Sequence, residues 1–500
     1  MFVAPDPGRV RLRVSLRAVL GIALAVAAAE LAGLSLTASI TGGLAALLAL
    51  FTVGDATVRR QAVTTLLLPV AGLPVLALAS TLHGQPWLRA GCWLAVVLAG
   101  VYARRWGPRG HALGIFAFMM FFSTQFLHAV PAQLPELYTA VALAVAASCA
   151  VRFGLWCVER RTPPPAQPAP LTGRGLARPT TRQALQATVA CGIALVLGQM
   201  LSPDRWYWAV GTAWWIFVNT ASRGETLVRG LRRVVGTVAG IAVGLLVAVP
   251  LHGAPAPTAA LVAVCVFGIF YTAAPSYSWM TFFVTVMAGL LYGLLGVLHP
   301  GLLWLRFEET AAGALGAVLG VALVLPVTTH ATTDAWIRRA LHCVHRCTGV
   351  AARRLAGDED ADPAPLAVEL ELLLGRARLS LAPLVHPASP LRARKARARQ
   401  VLELLDACAR EVRGLARVAA DPDASHDARL TAACDRVEAA VLALAPSKRP
   451  LPGPSAVPLP APHHHPGAEA ALAHLHALER ALADLAAPLH SPPRAPLASA

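Results

Sequence analysis

The amino-acid sequence predicts an all-α polytopic membrane protein with two parallel six-helix transmembrane repeats and a cytoplasmic helical C-terminal domain. Three observations predict this fold. Of 500 residues, 56% are hydrophobic and 14% are charged, whereas about a quarter are charged in an ordinary soluble domain. Twelve apolar segments have nearly or fully the length that crosses a bilayer. A short motif recurs at an offset of 170 residues.

The twelve apolar segments all lie before residue 326. A helix that crosses the hydrocarbon core needs about 20 mainly apolar residues, because each backbone polar group must be satisfied within the helix. The segments run over residues 16–34, 36–53, 62–82, 87–102, 112–129, 137–158, 184–201, 206–219, 234–249, 258–271, 279–298 and 303–325. The fourth, eighth and tenth are short.

The net charge of +16 belongs mostly to the apolar part of the chain. Residues 1–326 hold 22 basic and 9 acidic residues, whereas residues 327–500 hold 21 and 18. Cytoplasmic loops of membrane proteins collect Lys and Arg. A cytoplasmic N-terminus puts 19 of the 22 basic residues inside, leaving Arg89, Arg205 and Arg306 outside. We therefore predict a cytoplasmic-membrane protein with both termini in the cytoplasm, in contact with lipid and not with nucleic acid.

The repeated motif defines the domain organisation. Residues 54–59 align without gaps with residues 224–229, and six spans per repeat give both halves one orientation. The predicted order is a basic N-terminus (1–15), a first membrane block (16–158), a Pro- and Arg-rich linker (159–181), a second membrane block (182–326), a cytoplasmic helical domain (327–449) and a Pro-rich tail with one short helix (450–500).

Helical periodicity marks the part of the chain after residue 326. Two apolar stripes step by four and three residues, as on one face of a helix. They comprise Val401, Leu405, Cys408, Val412 and Leu415, and Leu430, Cys434, Val437, Val441 and Leu444. We expect the two helices to pack as a hairpin, with a last short helix that carries Leu475, Leu478, Leu482 and Leu485. The heptad spacing also suggests a homodimer.

Candidate substrate-binding residues follow the second copy of the motif. Arg229, Arg232 and Arg233 could gather an anion at the inner mouth of the second block, with Thr237 one turn further on. The alternative is that these arginines only anchor the topology. Trp214 and Trp215 could stack on a planar substrate, whereas Trp206, Tyr207 and Trp208 are typical of an aromatic belt at the membrane interface.

Four ionisable residues are candidates for proton coupling or gating. Arg306, Glu308 and Glu309 open the twelfth span, and Glu30 lies in the first. Arg306 and Glu309 are three residues apart on one helix face and can pair. Two interpretations stay open: the three are solvated loop residues, or they are partly buried and functional. For Glu30 the alternative is a position near the outer interface.

Glycines recur one helical turn apart in two spans, where they allow another backbone to approach closely. They are Gly236, Gly240 and Gly244 in the ninth span and Gly313, Gly316 and Gly320 in the twelfth. Helix packing is the main interpretation, and a substrate path lined by small residues is the alternative.

Motifs of soluble catalysis do not occur in the sequence. There is no phosphate-binding loop, no dinucleotide fingerprint, and no Ser/His/Asp or His-Glu-x-x-His arrangement on a plausible scaffold. His342, Cys343, His345 and Cys347 lack the spacing of a metal site. We therefore predict no enzyme, no catalytic residues, no cofactor and no metal. Transport would run on a gradient or on a separate motor.

Two motifs resemble one family. Residues 223–244 resemble the second membrane block of the fusaric acid resistance-like family, and residues 306–313 resemble the Arg-x-x-Asp/Glu-Thr-x-x-Gly pattern that opens its last span. The resemblance covers residues 182–326. It implies an inner-membrane protein of two six-helix blocks with cytoplasmic helical domains, related to bacterial aromatic carboxylic acid exporters and more distantly to plant aluminium-activated malate transporters.

The resemblance also implies roles for particular residues. Arg232, Arg233, Gly236, Thr237 and Gly240 correspond to the family core, and Arg306 and Glu309 to the closing motif. The first block departs from the pattern, since Ala62, Val63 and Leu66 stand opposite Arg232, Arg233 and Gly236. The linker between the blocks is also too short for the soluble domain that many members carry there.

The leading functional hypothesis is an exporter of small organic anions such as aromatic carboxylic acids, driven by the proton gradient. One alternative is a membrane scaffold that presents the cytoplasmic helical domain without any flux. A channel-like anion conductance is another. A major facilitator fold is disfavoured, because residues 54–60 lack the Gly-Arg-Arg/Lys ending of its loop after the second span.

Overall fold

The computed structural model describes residues 6, 9–154, 175–218, 220, 223–325, 329–355, 358, 360–385, 392–419, 428–444 and 466–490. Throughout these residues the regular elements are helices, which confirms the all-α class. They form two compact units that divide at residues 327 and 328. The first, with twelve long helices, is called the membrane unit below, and the second, with five, the C-terminal unit. The predicted linker lies largely outside the described residues.

The twelve long helices of the membrane unit form two sets of six. The first set is α1 (Val10–Leu31), α2 (Leu36–Thr52), α3 (Val58–Thr81), α4 (Pro86–Tyr102), α5 (Gly107–Phe126) and α6 (Leu134–Gly154). The second set is α7 (Pro179–Leu201), α8 (Tyr207–Phe217), α9 (Arg223–Leu251), α10 (Pro255–Thr272), α11 (Tyr277–Leu294) and α12 (Pro300–Leu323). Side chains cap several N-termini: Thr57 accepts from the Arg60 N–H at 3.3 Å and His299 from the Leu302 N–H at 3.1 Å.

Each of the twelve predicted segments overlaps one of these helices. Within the described residues, eight stretches are long and apolar enough to cross a membrane, and one of them, residues 86–126, contains both α4 and α5. α2 has 17 residues and α12 carries three ionisable groups. α8 is the clear exception: its 11 residues extend about 17 Å, roughly half of a hydrocarbon core.

The repeated motif adopts different structures in its two copies. Residues 54–57 form the connection before α3, and Thr57 caps that helix. Residues 224–229 instead belong to the first turns of α9, which starts at Arg223. Relative to the repeated motif, α9 therefore begins earlier than α3 does. α1 also starts earlier than predicted, at Val10, so the basic N-terminal residues Arg11 and Arg13 belong to it.

Corresponding helices pack in the same way in the two sets. In each set the first helix contacts the second and the sixth, the second contacts the sixth, the third contacts the fifth and the sixth, and the fourth contacts the fifth. The contacts between the sets are reciprocal as well. α4 packs against α7, and α1 packs against α10, so the first helix of either set contacts the fourth helix of the other.

Hydrogen bonds from long polar side chains join helix termini at one end of the membrane unit. Arg152 on α6 donates to the carbonyl oxygens of Ala49 at 3.0 Å and Val53 at 3.1 Å, near the C-terminus of α2. Gln186 on α7 donates to the Val324 carbonyl at 2.8 Å, beyond the C-terminus of α12. These donors satisfy carbonyl groups that a helix end leaves without intrahelical partners. This end also carries Arg104, and it is called the arginine-rich end below.

The C-terminal unit consists of α13 (Thr329–Leu355), α14 (Ala364–Val385), α15 (Arg392–Ala419), α16 (Ala428–Leu444) and α17 (Pro466–His490). The members of both predicted apolar stripes are buried on α15 and α16, as the periodicity predicts. The expected hairpin is wrong, however. α15 and α16 are not a principal contact pair; each packs against α13 and α17 instead.

The last helix differs from the predicted tail. α17 has 25 residues and is an integral part of the C-terminal unit, because Leu475, Leu478, Leu482 and Leu485 are fully buried. These leucines cover the stripes of α15 and α16 within one chain. The apolar spacing that suggested a homodimer is thus used in intramolecular packing, and the homodimer stays a prediction without this support.

Candidate functional site

A cavity of about 110 Å³ lies inside the membrane unit, where the two sets of helices meet. It is called the central cavity below. α2 and α5 of the first set line it, together with α8, α9, α10 and α11 of the second. Most of the lining side chains are apolar or aromatic, among them Leu48, Phe122, Trp208, Trp215, Met287 and Leu291. Both sets therefore form its wall.

Arg233 is the one charged residue among the described residues that line the central cavity. It is 5% exposed, and its Nη1 donates to the Tyr277 hydroxyl at 3.1 Å. The Tyr277 hydroxyl in turn donates to the Trp215 carbonyl at 3.3 Å. Arg233 Nε has no hydrogen-bond partner among the described residues. The cavity thus contains a buried cation that retains an unused donor, which is costly unless something pairs with it.

The three candidate arginines of α9 differ in burial and in their contacts. Arg229 lies one turn before Arg233 and places its Cζ atom 4.0 Å from the centroid of the Tyr277 ring. Arg232 is exposed on another face of α9, and Thr237 is buried without lining the cavity. A helix rotates by about 100° per residue, so neighbours such as Arg232 and Arg233 point in different directions.

The two candidate tryptophans of α8 also separate. Trp215 lines the central cavity. Trp214 is buried and stacks on Phe118 with ring centroids 4.5 Å apart, so it is part of the helix packing and does not line the cavity. Trp206, Tyr207 and Trp208 are each at least nine-tenths buried inside the protein. The interpretation of these three as an interfacial belt is therefore wrong.

Trp208 connects the central cavity to a second buried cation. Arg306 on α12 is 3% exposed, and its Cζ atom lies 3.2 Å from the centroid of a Trp208 ring, a close cation–π contact. Neither Nε nor Nη1 of Arg306 has a hydrogen-bond partner among the described residues. The indole also contacts Phe122 and Phe126 edge-on, and its Nε1 donates to the Tyr292 hydroxyl.

The acidic candidates occupy different environments. Glu309 is 1% exposed, and its Oε1 has no hydrogen-bond partner in the described part of the chain. Arg306 and Glu309 are therefore buried, and their interpretation as solvated loop residues is wrong. Glu308 is half-buried and accepts a hydrogen bond from Trp304 Nε1 at 2.8 Å. Glu30 is exposed near the end of α1, away from the cavity lining.

The spaced glycines lie at helix contacts. A Cβ atom on Gly240 would come within 2.7 Å of Thr285 Cβ on α11, and one on Gly316 within 2.7 Å of the Ala190 carbonyl on α7. Gly236 and Gly313 are as tightly packed, and Gly320 meets Ala190. Gly244 is the looser case, with Val286 Cα at 3.8 Å. None of the six lines the central cavity, so the structure places them in packing contacts.

No group of three His, Cys, Asp or Glu side chains in the described residues could hold a metal ion. Cys343 and Cys347 face α14 instead, where their thiols lie 3.4 Å and 3.7 Å from the Leu366 and Pro363 carbonyl oxygens. Burial raises the pKa of Cys343 to about 11 and that of Cys347 to about 12. Both are protonated packing residues at neutral pH.

Sequence reasoning did not identify Trp208, Tyr277 and Phe122 as residues of the site. A signal exists for Trp208 and Phe122, because cavity-lining residues recur at steps of three and four along their helices. Trp208, Gly211 and Trp215 follow this spacing on α8, and Met119, Phe122 and Phe126 follow it on α5. The spacing predicts a common face on each helix, but only the fold shows that these faces line one cavity.

Apolar helices of membrane-spanning length around a central cavity define a multi-pass α-helical membrane protein. Residues 191–340 match the model of a family described as fusaric acid resistance protein-like. The match confirms the resemblance predicted from the motifs in α9 and α12. It includes Arg233, Trp208 and Arg306. A comparison with curated proteins finds no match.

Proposed function

We propose that this protein is a transporter that exports small aromatic carboxylates across the cytoplasmic membrane. The observation that carries the proposal is the central cavity, in which aromatic and apolar walls surround the single guanidinium of Arg233. An aromatic carboxylate has the complementary composition, an apolar ring and one anionic group. Binding sites for small molecules generally combine such apolar walls with a few placed polar groups.

Arg233 supplies the carboxylate-binding group. Guanidinium and carboxylate form charge-assisted hydrogen bonds, which are stronger than those between neutral groups. Arg233 Nη1 is held by Tyr277 and Nε has no partner among the described residues, so a donor remains for the substrate. The side chains of Phe122, Trp208 and Trp215 line the space for the aromatic ring.

The architecture proposed for this transporter consists of two parallel six-helix repeats. The equivalent helix contacts of the two sets and their reciprocal contacts with each other support it. The arginine-rich end faces the cytoplasm in this proposal, since cytoplasmic ends of membrane proteins collect basic residues. Both termini and the C-terminal unit are then cytoplasmic. The repeats differ at the site, because Val63 occupies the sequence position that corresponds to Arg233.

The proton gradient is the proposed energy source, and Glu309 is the proposed proton carrier. Of the three acidic candidates, it alone is buried and has an oxygen without a hydrogen-bond partner among the described residues. A buried carboxyl group in a membrane segment is costly and is typical of a proton relay. Glu308 is only half-buried, and Glu30 is exposed.

Uptake of labelled hydroxybenzoate into proteoliposomes tests the proposal. The purified full-length chain is reconstituted, and accumulation is followed with and without an imposed pH gradient. Accumulation that requires the gradient and is lost with a protonophore supports proton-coupled transport. Equilibration without accumulation would instead indicate a channel-like conductance. No movement in a panel of organic anions would contradict transport and favour the scaffold alternative.

A further inference from the structure

Arg306 is placed behind the wall of the central cavity. Its guanidinium stacks on Trp208, a residue that lines the cavity, whereas Arg306 itself does not. Two buried cations therefore lie close to the cavity wall: Arg233, which lines the cavity, and Arg306, which contacts the indole of a lining residue. They belong to α9 and α12, which pack directly against each other.

Arg306 has unused capacity to bind an anion. Its side chain is 3% exposed, and two of its three guanidinium nitrogens have no hydrogen-bond partner among the described residues. No ion pair of Arg306 occurs in the part of the chain that the structure describes. Glu309 lies one turn further along α12, yet its Oε1 is also without a hydrogen-bond partner. Contact with the Trp208 ring compensates the charge only in part, since a ring accepts no bidentate hydrogen bonds.

We propose that Arg306 forms a second carboxylate-binding position, which the Trp208 indole closes off from the central cavity. The inference rests on the proposed function, and its ligand is the carboxylate group of the same aromatic substrate. When the indole rotates away from Arg306, the unused Nε and Nη1 donors take up the carboxylate that has left Arg233. Trp208 thus acts as an aromatic gate between two positions on one path.

A second carboxylate-binding position would speed the release of substrate, which a single buried cation would slow. A lone arginine in an apolar cavity would hold a carboxylate too firmly for rapid release, because electrostatic attraction is strong in a medium of low dielectric constant. Conduction and transport require sites that bind weakly enough to let the ion leave, and neighbouring sites achieve this. Arg233 and Arg306 are both buried cations on neighbouring helices, so each attracts the carboxylate.

The test separates binding from movement in four proteins: wild type, Arg306→Gln, Arg306→Lys and Arg89→Gln. Arg89 is a matched control, because it also lies over a tryptophan, with Cζ 5.6 Å from the Trp206 ring, but that tryptophan does not line the cavity. Hydroxybenzoate binding is measured by equilibrium dialysis in detergent, and uptake is measured in proteoliposomes. Gel filtration and thermal unfolding show whether each variant is folded.

We expect Arg306→Gln to bind hydroxybenzoate with a Kd within about threefold of wild type while its uptake falls by about tenfold or more. Arg306→Lys should recover part of the uptake, and Arg89→Gln should match wild type. Wild-type uptake by a folded Arg306→Gln would overturn the inference, as would a parallel loss of binding and uptake. Failure of wild type itself to bind hydroxybenzoate would contradict the proposed function, and the inference with it.

Discussion

Arg233 and Tyr277 join two helices at the wall of the central cavity. Arg233 Nη1 on α9 donates to the Tyr277 hydroxyl on α11 at 3.1 Å, and that hydroxyl donates to the backbone of α8 at Trp215. Arg229 covers the face of the same tyrosine ring. Tyr277 therefore positions the guanidinium of Arg233, and three helices that form the cavity meet at this phenol.

Removal of the Tyr277 hydroxyl tests this positioning role. Tyr277→Phe loses one hydrogen bond to a charged group, which contributes about 1.5–3 kcal/mol, and it frees Arg233 to change its orientation. We expect the KM for hydroxybenzoate uptake to rise roughly tenfold with little change in the maximal rate. Tyr271→Phe on α10 is the control, because Tyr271 contacts Arg11 instead. Equal KM values for both variants would contradict the role of Tyr277.

The tight contact between α9 and α11 predicts opposite outcomes for two neighbouring glycines. A Cβ on Gly240 would approach Thr285 Cβ at 2.7 Å and the Phe282 carbonyl at 2.8 Å, whereas one on Gly244 would meet Val286 Cα at an ordinary 3.8 Å. Gly240→Ala should destabilise the protein by about 1–3 kcal/mol through overpacking. Gly244→Ala should leave the thermal unfolding temperature in detergent unchanged. A similar shift for both variants would show that α9 is not held this closely.

The role of α17 in the C-terminal unit is testable with two leucines. Leu478 is fully buried, whereas Leu442 on α16 is 39% exposed. Leu478→Ala should cost about 2–5 kcal/mol, the usual range for a buried leucine, and should speed amide hydrogen exchange in α15, α16 and α17. Leu442→Ala should change exchange little. Unchanged protection in Leu478→Ala would support a loosely attached tail.

Buried thiols give the C-terminal unit a predictable response to pH. Burial raises the pKa of Cys408 and of Cys434 to about 12, compared with about 8.5 for a free thiol. The folded state holds the two thiol protons more tightly than the unfolded state does. Their contribution to the free energy of unfolding is therefore complete below about pH 8.5 and is lost as pH rises toward about 12.

Alkylation measures the same property. We expect iodoacetamide at pH 8 to label Cys408 and Cys434 at least about tenfold more slowly in the folded protein than in urea, because the thiolate is the nucleophile. Mass spectrometry of the labelled peptides follows each site separately. Equal rates in the two states would contradict burial of these thiols.

Much of the fold follows from hydropathy and periodicity. Each predicted apolar segment overlaps a helix, and residues such as Val412 and Val437 are buried on the predicted faces. These features are local, since a face repeats every three or four residues whatever lies opposite it. The pairing of α15 and α16 was wrong for the same reason: an apolar stripe indicates that a face is covered, and does not indicate which helix covers it.

The site depends on contacts that local patterns do not encode. Arg232 and Arg233 are adjacent and chemically identical, yet only the second lines the central cavity, and the same holds for Trp214 and Trp215. Which face of α9 or α8 turns inward is decided by the glycine contacts and by the packing of the other helices. The contact between Trp208 and Arg306 joins positions that are 98 residues apart.

The most direct measurement is hydroxybenzoate binding by Arg233→Gln and Arg232→Gln, each compared with wild type by isothermal titration calorimetry. The two substitutions remove the same group from neighbouring positions, one in the central cavity and one on the exposed face of α9. We expect Arg233→Gln to weaken binding by about tenfold or more, because a charge-assisted hydrogen bond is lost, and Arg232→Gln to bind as wild type does. Equal affinities in a folded Arg233→Gln would contradict the proposal that the central cavity holds the carboxylate.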